Sequence, residues 1–399
     1  MKRVYLDHNA TTPLHPDVLE EMVPFLKGKY GNASSIHAFG REARVAIDEA
    51  RETVAHGLGA DPAEIFFTSG GTEADNLAVK GTAYFNRKRG NHIVTSKIEH
   101  HAVLQPCQFL EREGFEVTYV SSDSFGMVDP AEVGKAITDK TILVTIMHAN
   151  NEVGTLQPIK EIGAICREKG VTFHTDAVQS FGKMAIDVNE LNVDLLSLSG
   201  HKLYGPKGTG ALYIRKGRRI TPLVHGGHHE RARRAGTENV AGIVGLGKAT
   251  QIAMDAMAAE AKKLTELRDA LHNRLREKIE HLHLNGHPTQ RLPGTLNLSF
   301  AGIEGESIVL SLDLKGVAVS SGSACTSGSL EPSHVLSAMS ISPELAQGSI
   351  RFSFGRDNTI EDVDYVVEVL PEIVQRLRAM SPMEAARGEP LASSAKPTF

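Results

Sequence analysis

Cysteine is scarce: the 399 residues contain only 3, Cys107, Cys166 and Cys325, widely spaced and with no CxxC pair. That argues against a disulfide framework and a thiolate zinc site, and leaves at most one of them to do chemistry. Long apolar runs are missing as well. The longest aliphatic stretches, such as Ile142 to Met147, fall far short of the roughly 20 residues that span a bilayer. The N-terminal MKRVYLDHNATT has no signal-peptide core, so a cytoplasmic location is the expectation. Nor is there a long basic run. With 43 Lys and Arg against 48 Asp and Glu, the net charge is −5, which supports neither nucleic-acid binding nor a membrane surface.

What remains is the balance of a soluble globular protein, 41% hydrophobic and 23% charged. The length predicts two domains of about 100–200 residues each. Short β-rich runs alternate with amphipathic stretches of helical spacing, and no internal repeat is present. Strands are predicted at Glu64–Thr68, His92–Ser96, Phe115–Val120, Thr141–Met147, Val171–Thr175, Asp194–Ser199 and Thr209–Ile214. Helices are predicted at Ala38–Leu58, Thr72–Lys88, His101–Glu113, Pro130–Ile137 and Ile159–Lys169. Together they imply an α/β fold whose mainly parallel sheet lies between helices.

From Val240 to about Ile279 the chain is helical throughout, and a helix of that length commonly links two domains. Residues 16–258 are therefore expected to form a large domain and 259–380 a smaller α+β domain. Residues 1–15 are expected to associate with the latter. The small domain is predicted to contain strand Thr295–Phe300, helix Gly305–Leu314, strand Val317–Ser320, a Gly/Ser loop, helix Ser333–Met339, strand Ser349–Phe354 and helix Glu361–Arg378. Residues 381–399, rich in Pro, Ala and Ser, are expected not to order without a partner.

The densest polar cluster, His174-Thr175-Asp176-Ala177-Val178-Gln179-Ser180, begins at a predicted strand end. Ligands of open parallel sheets gather at such ends, so Asp176 is expected in the crevice; its plain alternative is a helix N-cap. The next strand end carries Ser199-Gly200-His201-Lys202, followed by glycine turns that keep Lys202 from simply extending into solvent, where most lysines sit. An Asp and a Lys at neighbouring strand ends are what pyridoxal phosphate requires. The amine forms a Schiff base with the aldehyde, and the carboxylate keeps the pyridine nitrogen protonated. Thr68-Ser69-Gly70-Gly71-Thr72-Glu73 leads from a strand into a helix and supplies backbone N–H donors for the phosphate dianion. Alone that segment describes any tight turn before a capped helix; beside Asp176 and Lys202 it becomes specific.

Two more strand ends carry Glu99-His100-His101 and His148-Ala149-Asn150-Asn151-Glu152. An imidazole from the first could stack on the ring and move protons, and an amide from the second could bond the ring hydroxyl or a substrate carboxylate. Cys325 lies in SSGSACTSGS, with no apolar anchor to bury it, so an exposed thiol able to swing between a site and an acceptor is expected. Cys166 shares helical spacing with Ile159, Ile162 and Ile165 and reads as core, and Cys107 is similarly inert. Arg351 could clamp a substrate carboxylate; an ordinary surface ion pair is the alternative. His225-Gly226-Gly227-His228-His229-Glu230 lacks HExxH order and is followed by Arg231, Arg233 and Arg234, so it reads as an anion-facing loop leading to Gly236-Thr237, with no intrinsic metal site.

These residues resemble the cysteine desulfurases of the NifS/IscS kind, pyridoxal-phosphate enzymes of the class V aminotransferase superfamily with the type I fold. The resemblance runs from YLDHNATT at 5–12 to about Arg378, and rests on HTDAVQS at 174–180, SGHKLYGPKG at 199–208, RRAGTEN at 233–239 and SSGSACTSGSLEPSHVL at 320–336. It implies that Lys202 is the Schiff-base lysine, Asp176 the partner of the pyridine nitrogen, and Gln179 the donor to the ring hydroxyl. His100 would stack on the ring and serve as acid/base, while Gly71, Thr72, Ser199, Gly200 and His201 would hold the cofactor around its phosphate. Thr237 would reach the phosphate of the neighbouring subunit of a homodimer. Asn151, at the cofactor, and Arg351 would bind the carboxylate of L-cysteine. Cys325 would carry the sulfur as a persulfide to an iron–sulfur scaffold or other acceptor protein, and could ligate cluster iron transiently.

The cysteine segment is similar to the long-loop type of the family, which disfavours the short-loop type that includes selenocysteine-preferring lyases. The tail does not resemble the Trp-containing acidic end of IscS, and the chain has no Trp, which leans toward NifS. Two rivals stay open: an aminotransferase in which Cys325 is incidental, and a carrier protein that only holds a persulfide.

Overall fold

A computed structural model describes residues 2–321 and 332–380. In chain order the first part comprises β1 (Val4–Tyr5), α1 (Pro16–Lys27), α2 (Ala38–His56), β2 (Ile65–Thr68), α3 (Gly71–Asn86), β3 (His92–Ser96), α4 (His101–Arg112), β4 (Glu116–Val120), α5 (Pro130–Ala136), β5 (Thr141–Thr145), α6 (Ile159–Glu168), β6 (Thr172–Asp176), β7 (Leu195–Ser199) and β8 (Gly210–Ile214). The rest comprises α7 (His229–Ala232), α8 (Val240–Lys278), β9 (Leu282–Asn285), β10 (Thr295–Phe300), α9 (Gly305–Asp313), β11 (Val317–Ala318), β12 (Ser320–Ser321), α10 (His334–Ala338), α11 (Pro343–Gln347), β13 (Ser349–Ser353) and α12 (Ile360–Met380).

A 7-stranded sheet has the order β2-β8-β7-β6-β5-β3-β4. Its strands are apolar on both sides because helices cover both faces. Leu195 joins Leu77 of α3 in one cluster, whereas Leu196 and Leu198 point the opposite way into the cluster holding Ile47 of α2 and Leu246 of α8. The sheet is parallel as expected except at β8, which runs antiparallel to both β7 and β2. Two reversals restore the direction of β2, so its C-terminal end shares one edge with those of β7, β6, β5 and β3. Every polar motif singled out at a strand end therefore opens on that edge.

The second sheet, β12-β13-β10-β9, is antiparallel and packs its apolar side chains against α9, α12 and the second half of α8. Along α8 the buried side chains switch clusters: Ile243 to Ala253 belong to the large-sheet core, Leu264 to Leu275 to the other. Val4 and Leu6 are also in the second cluster, β1 pairs in parallel with β11, and Asp7 bridges Ser353.

Several elements depart from the sequence expectation. Helix α1 went unread because of its prolines; Pro16 occupies the first turn, where its missing N–H has no partner to lose, although Pro24 lies inside. The expected strand Val317–Ser320 is two short strands, one paired with β1 and the other with β13. Strand β9 and helix α11 are too short to announce themselves by periodicity. The expected tail at 381–399 and the Gly/Ser loop around Cys325 lie outside the described residues.

Candidate functional site

The strand ends converge on a cavity of about 360 Å³. Gly71, Thr72, His100, Asn151, Asp176, Gln179, Ser199, His201, Lys202 and Arg351, all expected at the site, line it. Gly200 does not; buried behind the wall, its carbonyl accepts from the Leu203 and Gly205 N–H groups and shapes the turn that presents Lys202. Thr237 is exposed and lies outside this cavity, and Cys325 falls outside the described residues.

Lys202 follows β7 in a one-turn 3₁₀ helix, and its Nζ donates to the carbonyls of Asn9 and Ala10, the latter at 2.8 Å. Asp176 ends β6. Its Oδ1 accepts from Val178 N–H at 2.8 Å, and its own carbonyl accepts from His148 N–H at 2.8 Å, so side chain and backbone are both fixed. Burial pushes its carboxyl up to about 6, against the opposing pull of the Val178 N–H and the Lys202 charge.

His100 is the N-cap of α4. Ala102 N–H donates to its Nδ1 at 3.1 Å, so the neutral ring carries its proton on Nε2. Burial, aided by the charge of Lys202 and by His101 and His334, lowers its pKa to about 4, which keeps the ring neutral at physiological pH. His201 is held by Thr11 Oγ1 at 3.1 Å and is likewise lowered to about 4, chiefly by burial. Helix α3 begins at the cavity with no side-chain cap. Gly70 sits at φ 147°, and a Cβ on Gly71 would come within 2.6 Å of Val178 Cγ2, so glycine is needed where the backbone turns into the helix. Gln179 donates from Nε2 to Asn9 O at 2.9 Å, and Arg351 donates from Nη1 to Asn151 O at 2.9 Å.

Sequence reasoning gave no role to Asn9 or Ala10, whose carbonyls receive the lysine, nor to Asp75, which lines the cavity from α3. YLDHNATT entered only as a resemblance, because nothing local in it reveals that it crosses the far strand ends. Asp75 is buried, its Oδ1 lies 3.7 Å from His174 Nε2 without a hydrogen bond, and its carboxyl is raised by burial and by facing Asp176. Glu99, completely buried, accepts from Ser96 Oγ at 2.5 Å and Met147 N–H at 3.0 Å. Burial raises it to about 8 from 4.5.

A stability prediction follows from Glu99. Between the unfolded and folded values only the folded protein holds the proton, so this group's contribution is complete at low pH and is lost as pH rises through about 8. The unfolding free energy of wild type minus that of Glu99→Gln is expected to fall by about 1.4 kcal/mol per pH unit across that window and then level off. Denaturant titrations from pH 5 to 9 check this; a flat difference would mean that Glu99 is ionised throughout.

The expected inertness of two cysteines holds: Cys107 and Cys166 are buried, and burial pushes Cys166 up to about 12 and Cys107 higher still. In the histidine-rich segment, the Glu230 carboxylate is taken by both Nη atoms of Arg51 at 2.8 Å and by Phe67 N–H. No metal-ligating cluster occurs among the described residues.

Residues 4–366 match the family model described as aminotransferase class-V. The cysteine desulfurase IscS of Dictyoglomus turgidum is 58% identical over 383 residues, covering 96% of this chain and 97% of that protein. The chain belongs to the cysteine desulfurase family. Among solved structures, a NifS-like protein superposes with a TM-score of 0.89 at 43% identity, covering 94% of this chain and all (100%) of that one. SspA in complex with cysteine matches at a TM-score of 0.79 and 40% identity over 88% of this chain and 98% of its own. The IscS name of the curated relative lends no support to the lean toward NifS drawn from the tail, while the structural neighbour carries the NifS name.

Pyridoxal phosphate is the cofactor of cysteine desulfurases, and the cavity suits it on its own chemistry. An amine, a buried carboxyl and an uncapped helix N-terminus face one space, with Asp75, whose Oδ1 takes no hydrogen bond, in the wall. Lys202, Asp176, Gln179 and His100 would hold its ring, and Gly71, Thr72, Ser199 and His201 its phosphate.

Proposed function

We propose that the protein removes sulfur from L-cysteine, giving L-alanine and a persulfide on Cys325 that is handed to an acceptor protein. The observation that carries this is the convergence of Lys202, Asp176, His100 and Arg351 on one cavity. Bound pyridoxal phosphate would supply the electron sink that makes the substrate Cα proton removable.

The chain's own residues do the rest. Arg351 and Asn151 bind the α-carboxylate and orient the amino acid. Asp176 holds negative charge against the ring nitrogen, and the Lys202 amine takes the Cα proton. His100, neutral with its proton on Nε2, donates and retrieves a proton beside the ring. The Cys325 thiolate attacks the substrate sulfur: an S–S bond forms, the substrate C–S bond breaks, and protonation of the carbon fragment yields alanine. One thiol and one cysteine become one persulfide and one alanine, with no external oxidant.

The same proposal makes the protein a homodimer in which Thr237 reaches the neighbouring subunit's phosphate. Tyr30, Ile36, Phe39 and Val45 are exposed apolar residues, with Ile36 91% exposed and Tyr30 stacked on Phe39. Arg44, beside Val45 in α2, binds Glu238, next to Thr237, at 2.7 Å. Free buried cysteines fit a reducing compartment such as the cytoplasm. An iron–sulfur scaffold is the acceptor proposed.

The test is the absorbance of the purified protein with and without L-cysteine, together with alanine and sulfur assays. The expected result is a lysine-linked cofactor band that shifts with cysteine, and one sulfur per alanine. A band with amino-group transfer to a keto acid and no alanine from cysteine would make it an aminotransferase; no band at all would leave a mere carrier.

A further inference from the structure

Arg351 has unequal partners. On β13 and 5% exposed, it donates from Nη1 to Asn151 O and from Nη2 to Asp7 Oδ1, both at 2.9 Å, while its buried Nε has no partner. Asp7 is itself fixed. Its backbone bridges Ser353, Tyr5 Oη donates to its carbonyl at 3.1 Å, and Ser320 Oγ donates to the same Oδ1 at 2.9 Å. Ser320 stands opposite Arg351 in the β12–β13 ladder. The N-terminal segment thus lays a hydrogen-bonded carboxylate along one edge of the guanidinium that lines the cavity.

An incoming α-carboxylate meets an arginine that already faces an anion, and two carboxylates on one guanidinium repel each other. We propose that Asp7 is the resident counter-ion of Arg351 and the specificity-determining residue of the carboxylate subsite. It holds the guanidinium aligned before substrate arrives, through the same Oδ1 that Ser320 fixes. It also weakens Arg351 toward carboxylates in general, so that a ligand needs the other contacts of the cavity to bind well. Discrimination between an amino acid and a simple organic anion then comes from the arginine being partly neutralised. This rests on the desulfurase reading in that it puts the substrate carboxylate on Arg351.

Asp7→Asn separates charge from geometry, because the amide oxygen still accepts from Ser320 and Arg351. The probe is 3-mercaptopropionate, the cysteine skeleton without its amine, titrated calorimetrically into holoenzyme at low ionic strength. Asp7→Asn is expected to bind it about fivefold more tightly than wild type and to lower the KM for L-cysteine by a smaller factor, because the other contacts of the cavity already hold the amino acid. The gain is expected to shrink in about 0.5 M salt, as a charge effect at a partly exposed carboxylate does. Arg351→Ala is expected to lose the probe. Unchanged or weaker binding in Asp7→Asn, with binding lost in Arg351→Ala, overturns the role of Asp7 while leaving the desulfurase reading intact. Undiminished binding in Arg351→Ala overturns the carboxylate assignment and the proposal with it. Wild-type alanine formation, measured separately, reports on the desulfurase reading alone.

Discussion

Lys202→Ala protein is expected to make alanine from cysteine at least about 10³-fold more slowly than wild type and to lack the lysine-linked cofactor band. The loss is large because one amine has two tasks, covalent attachment and proton transfer, and no neighbour can take over. Lys183, the other lysine nearby, donates to Gln179 Oε1 at 3.3 Å and does not line the cavity. The fold should survive the change. Lys202 Nζ is held by the carbonyls of Asn9 and Ala10, and the Asn9 carbonyl keeps the Gln179 amide as a second donor. Absorbance and single-turnover alanine formation check the outcome. Retention of the lysine-linked band would move the attachment point elsewhere.

Cys325→Ala is expected to keep that band and its response to cysteine, yet lose at least about 100-fold in alanine formation. The structure sharpens this by elimination. Cys107 packs among Ile93, Val103 and Leu110, Cys166 among Ile159 and Ile162, and burial holds both thiols far from ionisation near neutral pH. A thiolate that attacks substrate sulfur has to come from the third cysteine. Serine at 107 and 166 should therefore leave the sulfur yield per turnover unchanged. Undiminished alanine formation by Cys325→Ala would keep the cofactor site and remove the sulfur carrier. Mass spectrometry of the wild type after cysteine, read at the peptide bearing Cys325, distinguishes the two directly.

Much of the site was legible because α/β folds send strand ends to one edge, and a polar cluster after an apolar run marks such an end. Asp176 stands directly after such a run, and Lys202, His100, Asn151 and Gly71 stand three or four residues beyond one, so the chain announces them. Gly200 lies behind the cavity wall, since a motif gives a residue's neighbourhood, not which way its backbone faces. Asp75 was overlooked because a carboxylate within the first turns of a helix is ordinarily a surface residue favoured by the helix dipole. Only the packing of α3 beneath Asp176 buries it. Helix α1 was lost to its prolines, and the strand at Val317–Ser320 was read as one because its two halves differ only in their pairing partners.

By itself, the sequence determined the alternation of strands and helices, the long α8, the inert cysteines and the residues able to do amine, carboxyl and imidazole chemistry, since these depend on local pattern and residue type. The tertiary structure alone decided that β8 reverses between β2 and β7, that the N-terminal carbonyls receive Lys202, and that Asp7 lies on Arg351. Apart from the β7–β8 pairing, those contacts join segments more than about 140 positions apart. No local propensity encodes them; they arise when two apolar clusters close on either half of one helix and bring the chain's first residues against its last strand.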